Sequence, residues 1–99
     1  MANIDQLRNK IDEITIQMLN LLKQRTDIAK QIGELKKING LSVFDEKREE
    51  QLRAEVSQIC KQIGLEETIG KKFLNFLLNE SIKVQTNEKI GRDTSELQS

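Results

Sequence analysis

Apolar side chains at Ile4, Leu7, Ile11, Ile14, Met18, Leu21, Ile28, Ile32 and Leu35, with Arg25 filling the remaining slot, follow one another at alternating spacings of three and four. This is the a/d seam of a heptad pattern, sustained over more than four heptads. It predicts a helix over residues 4–38, served at its start by Asn3 or Asp5 and stopped by Asn39-Gly40. At 1.5 Å per residue such a helix is about 50 Å long, far longer than the average in globular proteins. A chain of 99 residues has too little left to cover it. A second copy is the simplest cover.

The pattern then shortens. Gly40 to Phe44 form a connection, and Asp45 reads as an N-cap with Glu46 in the first turn behind it. Leu52, Val56, Ile59 and Ile63 share one face of a second helix, which Gly64 ends. A third helix begins near Glu66-Glu67, buries Ile69, Phe73, Phe76, Leu77 and Val84, and is expected to end by about residue 87. Residues 88–99 are polar and aperiodic, which predicts a flexible tail. The fold class is all-α: three helices per chain in one domain over 1–87, with a tail over 88–99.

Composition narrows the function. Proline is absent and glycine occurs five times, so little interrupts long helices. The 16 basic and 16 acidic residues cancel, which gives a general nucleic-acid or membrane-surface role no electrostatic support. The three aromatic residues are all Phe, too few for a base-stacking surface. With no His and only Cys60, neither zinc chemistry nor Ser-His or Cys-His catalysis has its side chains, and no metal or cofactor is expected. Cys60 lies in a helical pattern and reads as a buried thiol in a reducing compartment. No apolar signal core or membrane-length run is present, so a cytoplasmic location is expected.

Charge that matters must therefore be local. Arg25 occupies an a position in mid-seam, where a cation costs stability unless paired. By itself it reads equally as a register-setting polar residue or as a ligand group. Arg8 and Lys36 lie at e positions beside the seam, where a solvated charge is the simpler reading. Arg8 precedes Arg25 by seventeen residues, about 25 Å along one helix. Both could grip one small ligand only if an antiparallel partner brought Arg8 back. On the second helix, Arg48 and Glu49 extend the apolar face into a polar end beside Asp45, where by spacing alone a solvated charged face is the simpler reading. On the third, Ser81 and Gln85 are four apart and share a face, either a helix end leaving the core or the wall of a polar pocket. Together these residues describe a pocket of four cations, a carboxylate, a hydroxyl and an amide. It suits a small dicarboxylate bearing one hydroxyl, since arginine forks bind carboxylates in bidentate fashion. No nucleophile–base pair stands out, so the chemistry needs positioning and electrostatics only.

The series Arg8, Arg25, Lys36, Asp45, Arg48, Glu49, Ser81 and Gln85 resembles the active-site series of the all-helical chorismate mutases, the AroQ class. The resemblance spans residues 4 to 86 and includes the strings Arg8-Asn9-Lys10-Ile11-Asp12-Glu13-Ile14 and Asp45-Glu46-Lys47-Arg48-Glu49. It implies an intertwined three-helix homodimer with two shared active sites, converting chorismate to prephenate by an intramolecular Claisen rearrangement on the route to Phe and Tyr. It also implies roles. Arg25 and the partner's Arg8 would clamp the two carboxylates. Lys36 would contact a carboxylate and the ether oxygen, and Gln85 would donate to that same oxygen. Glu49 would accept from the ring hydroxyl, Asp45 and Arg48 would shape that side, and Ser81 would support a carboxylate. Many relatives are fused to a second enzyme; these 99 residues have no room for one, and a monofunctional enzyme is expected.

Two rivals remain. An isochorismate–pyruvate lyase shares the fold and a similar pocket, but the connection between the first two helices looks mutase-like. A non-catalytic helical dimer used for binding or regulation would keep the heptads and have no need of the eight polar residues.

Overall fold

The computed structural model describes the backbone from Asn3 to Gln98 and the side chains from Asn3 to Thr86. The chain forms α1 (Ile4–Ile38), α2 (Glu46–Ile63) and α3 (Glu67–Gln98). Local chemistry sets the ends. The Asn3 side chain accepts from the backbone N–H of Gln6 at 2.9 Å, and Gln6 Oε1 accepts from the N–H of Asn3 at 3.0 Å, a reciprocal capping box. Asn39 caps the other end, and Gly40 then turns the chain at φ +68°. Asp45 Oδ1 accepts from the N–H of Arg48 at 3.1 Å and starts α2. Gly64, at φ +77°, closes it, and the N–H of Leu65 reaches back to the carbonyl of Cys60 at 2.9 Å.

The third helix does not stop near residue 87 but continues to Gln98. The run from Glu88 to Gln98 contains no proline, and Gly91 alone costs only about 1 kcal/mol of helix propensity. The side chains of the expected tail, residues 88–99, lie outside the described residues, as does that of residue 87.

The packing differs more sharply from the hydrophobic pattern. α3 packs on both α1 and α2, which do not pack on each other. It meets α1 not along the a/d seam but along the neighbouring stripe, where Ala29 and Gly33 are buried and Leu22, Thr26 and Lys36 are half-buried. Small residues there let two helix backbones approach closely. The seam stays open. Ile4, Leu7, Ile11, Ile14, Met18 and Leu21 are all at least half exposed, as are Ile28 and Leu35 beyond them.

The expected core of α3 needs the same correction. Ile69, Phe73 and Phe76 are exposed and Leu77 and Val84 half-buried, whereas Leu74, Leu78 and Gln85 are buried. On α2, Leu52 and Val56 are half-buried and Ile59 and Ile63 exposed, while Cys60 is buried with a free thiol, as its helical setting predicts. A single chain offers no surface large enough to cover both apolar stripes of α3, so only the stripe facing α1 and α2 is covered. The radius of gyration is 17.3 Å, against about 13 Å for a compact domain of this length.

Gly70 holds α3 to α2. A Cβ at this position would overlap the Cys60 sulfur, while Val56 Cγ1 would stand at 3.4 Å. Gly70→Ala should therefore destabilise the fold by about 1–3 kcal/mol despite alanine's better helix propensity. The thermal midpoint should drop by several degrees. Adding Cys60→Ala should restore most of the loss, because it removes the atom that the new methyl group strikes. A double variant no more stable than Gly70→Ala would show that the clash lies elsewhere.

Candidate active site

Where the second half of α1, the start of α2 and the middle of α3 converge they enclose a cavity of about 380 Å³, within the range of small-molecule sites. Its apolar walls include Ile28, Ile32, Leu52, Leu78 and Ile82. Its polar groups are Arg25 and Lys36 from α1, Asp45, Arg48 and Glu49 from the start of α2, and Ser81 and Gln85 from α3. Seven of the eight residues singled out in the sequence therefore face one space.

The helix ends explain the convergence. Arg25 and Lys36 are eleven residues apart, three turns of helix, so they lie on one side of α1. Capping by Asp45 fixes the first turn of α2, which carries Arg48 and Glu49. Ser81 and Gln85 are one turn apart on α3 and face α1.

The cations are held by neutral groups. Arg25 Nη1 donates to Ser81 Oγ at 2.6 Å and to the Leu77 carbonyl at 3.2 Å. Lys36 Nζ donates to the Val43 carbonyl at 2.8 Å and to Gln85 Oε1 at 3.0 Å. Among the described residues, no carboxylate lies within ion-pairing distance of Arg25, Lys36 or Arg48. Burial, and then the nearby charge of Arg48, holds the Arg25 guanidinium below its ordinary pKa. Two cations repelling each other in one cavity mark a place for an anion.

The acids are engaged elsewhere. Asp45 caps α2, and Glu49 pairs with Arg53 at 3.6 Å. Gln85 is 7% exposed, and its amide oxygen is occupied by Lys36. The amide nitrogen is left as a donor at the cavity.

Arg8 is not part of this cavity. It lies near the start of α1, with a side chain 73% exposed and 3.9 Å from Asp5. The seventeen-residue gap on a straight helix keeps it away from Arg25, as the spacing predicts.

Two participants were not singled out in the sequence. The Val43 carbonyl, in the connection between α1 and α2, orients Lys36. No side-chain pattern could have revealed it, because a main-chain atom does the work. Gly33 approaches Gln85. Its signal was a glycine inside an otherwise strong helical pattern, which often marks close backbone approach.

The chain is similar in sequence to known proteins over most of its length. Residues 7–86 match the family described as chorismate mutase type II. The chain is 31% identical over 85 residues to a chorismate mutase of Methanocaldococcus jannaschii, a match covering 86% of each protein. It is 32% identical over 63 residues to a bifunctional chorismate mutase/prephenate dehydratase of Aquifex aeolicus, covering 64% of this chain and 17% of that protein. A match of this extent, over three helices whose ends enclose a cationic cavity, establishes that the chain belongs to the chorismate mutase type II family.

Proposed function

We propose that the cavity binds chorismate and turns it into prephenate, with each site completed by Arg8 from a second copy of the chain. The observation that carries this reading is the group of cations in the cavity with no carboxylate paired to them. A dianion supplies the missing charge. Arg25 and the partner's Arg8 clamp the two carboxylates, and Ser81 steadies Arg25. Glu49 accepts from the ring hydroxyl, with Asp45 and Arg48 on that side.

The reaction breaks one carbon–oxygen bond as one carbon–carbon bond forms, within a single molecule. The protein must hold the substrate in a compact, reactive shape. As the ether bond stretches, its oxygen gains negative charge. Lys36 and the Gln85 amide nitrogen are donors that the fold already holds beside each other, so they stabilise that charge more in the transition state than in the ground state. Loss of one such donor costs about 3 kcal/mol of barrier, roughly a hundredfold in rate.

The second copy is supported by exposed surface. The a/d seam of α1 and the Ile69–Phe73–Phe76 stripe of α3 both lie open, a pair of large apolar faces of the kind that obligate partners bury. An antiparallel partner would cover both and carry its Arg8 to the cavity. No described helix is long and apolar enough to cross a membrane, and the free thiol of Cys60 supports a reducing, cytoplasmic setting.

Two experiments test these roles. A glutamate at position 85 would be held ionised by the Lys36 ammonium and could donate only when protonated. Gln85→Glu should therefore be weakly active at neutral pH and gain activity as pH falls, while the parent enzyme shows no such rise. A flat profile in the variant would remove Gln85 from the ether oxygen. The shared site is tested by mixing Arg8→Ala chains with Arg25→Ala chains. Each variant alone should be nearly inactive. Mixed dimers should regain activity, because each contains one site with both arginines intact. No recovery, with chain exchange verified by mass, would contradict the shared site.

A further inference from the structure

Gly33 is buried in the interior of α1, three residues before Lys36. Its backbone does not require glycine, since among the described residues positive φ occurs at Gly40 and Gly64 and not at Gly33. Alanine would be the better helix former there. The requirement comes from α3. A Cβ on residue 33 would stand 3.0 Å from Gln85 Cα and 3.2 Å from Gln85 Cβ and Cγ. The nearest of these atoms is backbone, so the crowding cannot be relieved by turning the far end of a flexible side chain. Either α3 moves away from α1 at this point or Gln85 swings. Both motions disturb the 3.0 Å bond between Gln85 Oε1 and Lys36 Nζ, which fixes which way the amide faces. Gly33 does not itself line the cavity.

We infer that Gly33 is a positioning residue for the rearrangement: its missing side chain sets the separation of α1 and α3 at which the Gln85 amide and the Lys36 ammonium converge on the reacting oxygen. This rests on the function proposed above. Gly33 touches no substrate and acts through Gln85. Its effect belongs in the chemical step rather than in the carboxylate clamp, where Arg25 is held by Ser81 and the Leu77 carbonyl and not by Gln85.

The test is Gly33→Ala, assayed with chorismate alongside circular dichroism and thermal melting. The fold should persist, because the neighbour has only tenths of an ångström to give. The value of kcat should fall about tenfold or more, as expected when a reacting-centre donor is misplaced by a fraction of an ångström, and KM should change by less than about threefold. The discriminating measurement repeats the substitution in a Gln85→Ala background. With the amide gone, Gly33→Ala should lower kcat by no more than about twofold. An unchanged kcat in Gly33→Ala would overturn the inference. So would an equal loss in both backgrounds, or failure of Gly33→Ala to fold, since each assigns Gly33 to general packing. An inactive parent enzyme would instead count against the proposed function, so the two failures are distinguishable.

Discussion

Arg25, Lys36 and Arg48 share one cavity in which, among the described residues, no acid lies within ion-pairing distance of them, although Asp45 and Glu49 line the same space. Unpaired charge in a partly buried site is costly, and a fold keeps it only where something offsets the cost. Here the offset within the chain is partial. Ser81, Gln85 and two main-chain carbonyls orient Arg25 and Lys36 without cancelling their charge. The nearby acids are occupied, Asp45 by the N-terminus of α2 and Glu49 by Arg53. The result is a set of donors aimed in advance at a ligand that brings negative charge of its own. Catalysis of a reaction with no covalent enzyme intermediate needs little else.

The rest of the fold serves this placement. Two glycines let α3 approach its neighbours closely, Gly33 toward Gln85 and Gly70 toward Cys60. α3 thereby becomes the element that joins α1 to α2, and its Ser81 and Gln85 meet the α1 cations across the contact. Using the small-residue stripe of α1 for this contact leaves the large apolar seam free. That division of faces is consistent with the proposed pairing of chains, in which the seam is the surface offered to a second copy.

Elements with local causes were legible in the sequence. The bounds of α1, the cap at Asp45 and the stops at Gly40 and Gly64 follow from side chains within a few residues of each boundary. Of the seven residues that face the cavity, Arg25 stood out as a polar interruption of the apolar seam; Lys36, Asp45, Arg48 and Glu49 read singly as solvated or capping groups, and the resemblance bound all seven into one site. What failed was tertiary. Periodicity shows that Phe73 and Phe76 lie on an apolar face but not which of two apolar faces the chain covers for itself, and the covered face carries Leu74 and Leu78. The end of α3 was misjudged because a polar, aperiodic segment can still propagate an existing helix when no proline or strong cap stops it. The Val43 carbonyl was invisible because a main-chain atom leaves no side-chain pattern, and Gly33, a glycine inside a helical pattern, signalled a close approach without saying to what.

The most direct measurement is proton NMR of chorismate incubated with the purified protein, followed over time. The account predicts that chorismate signals are replaced by those of prephenate, with no pyruvate released. Chorismate left unchanged, or pyruvate as the product, would contradict it.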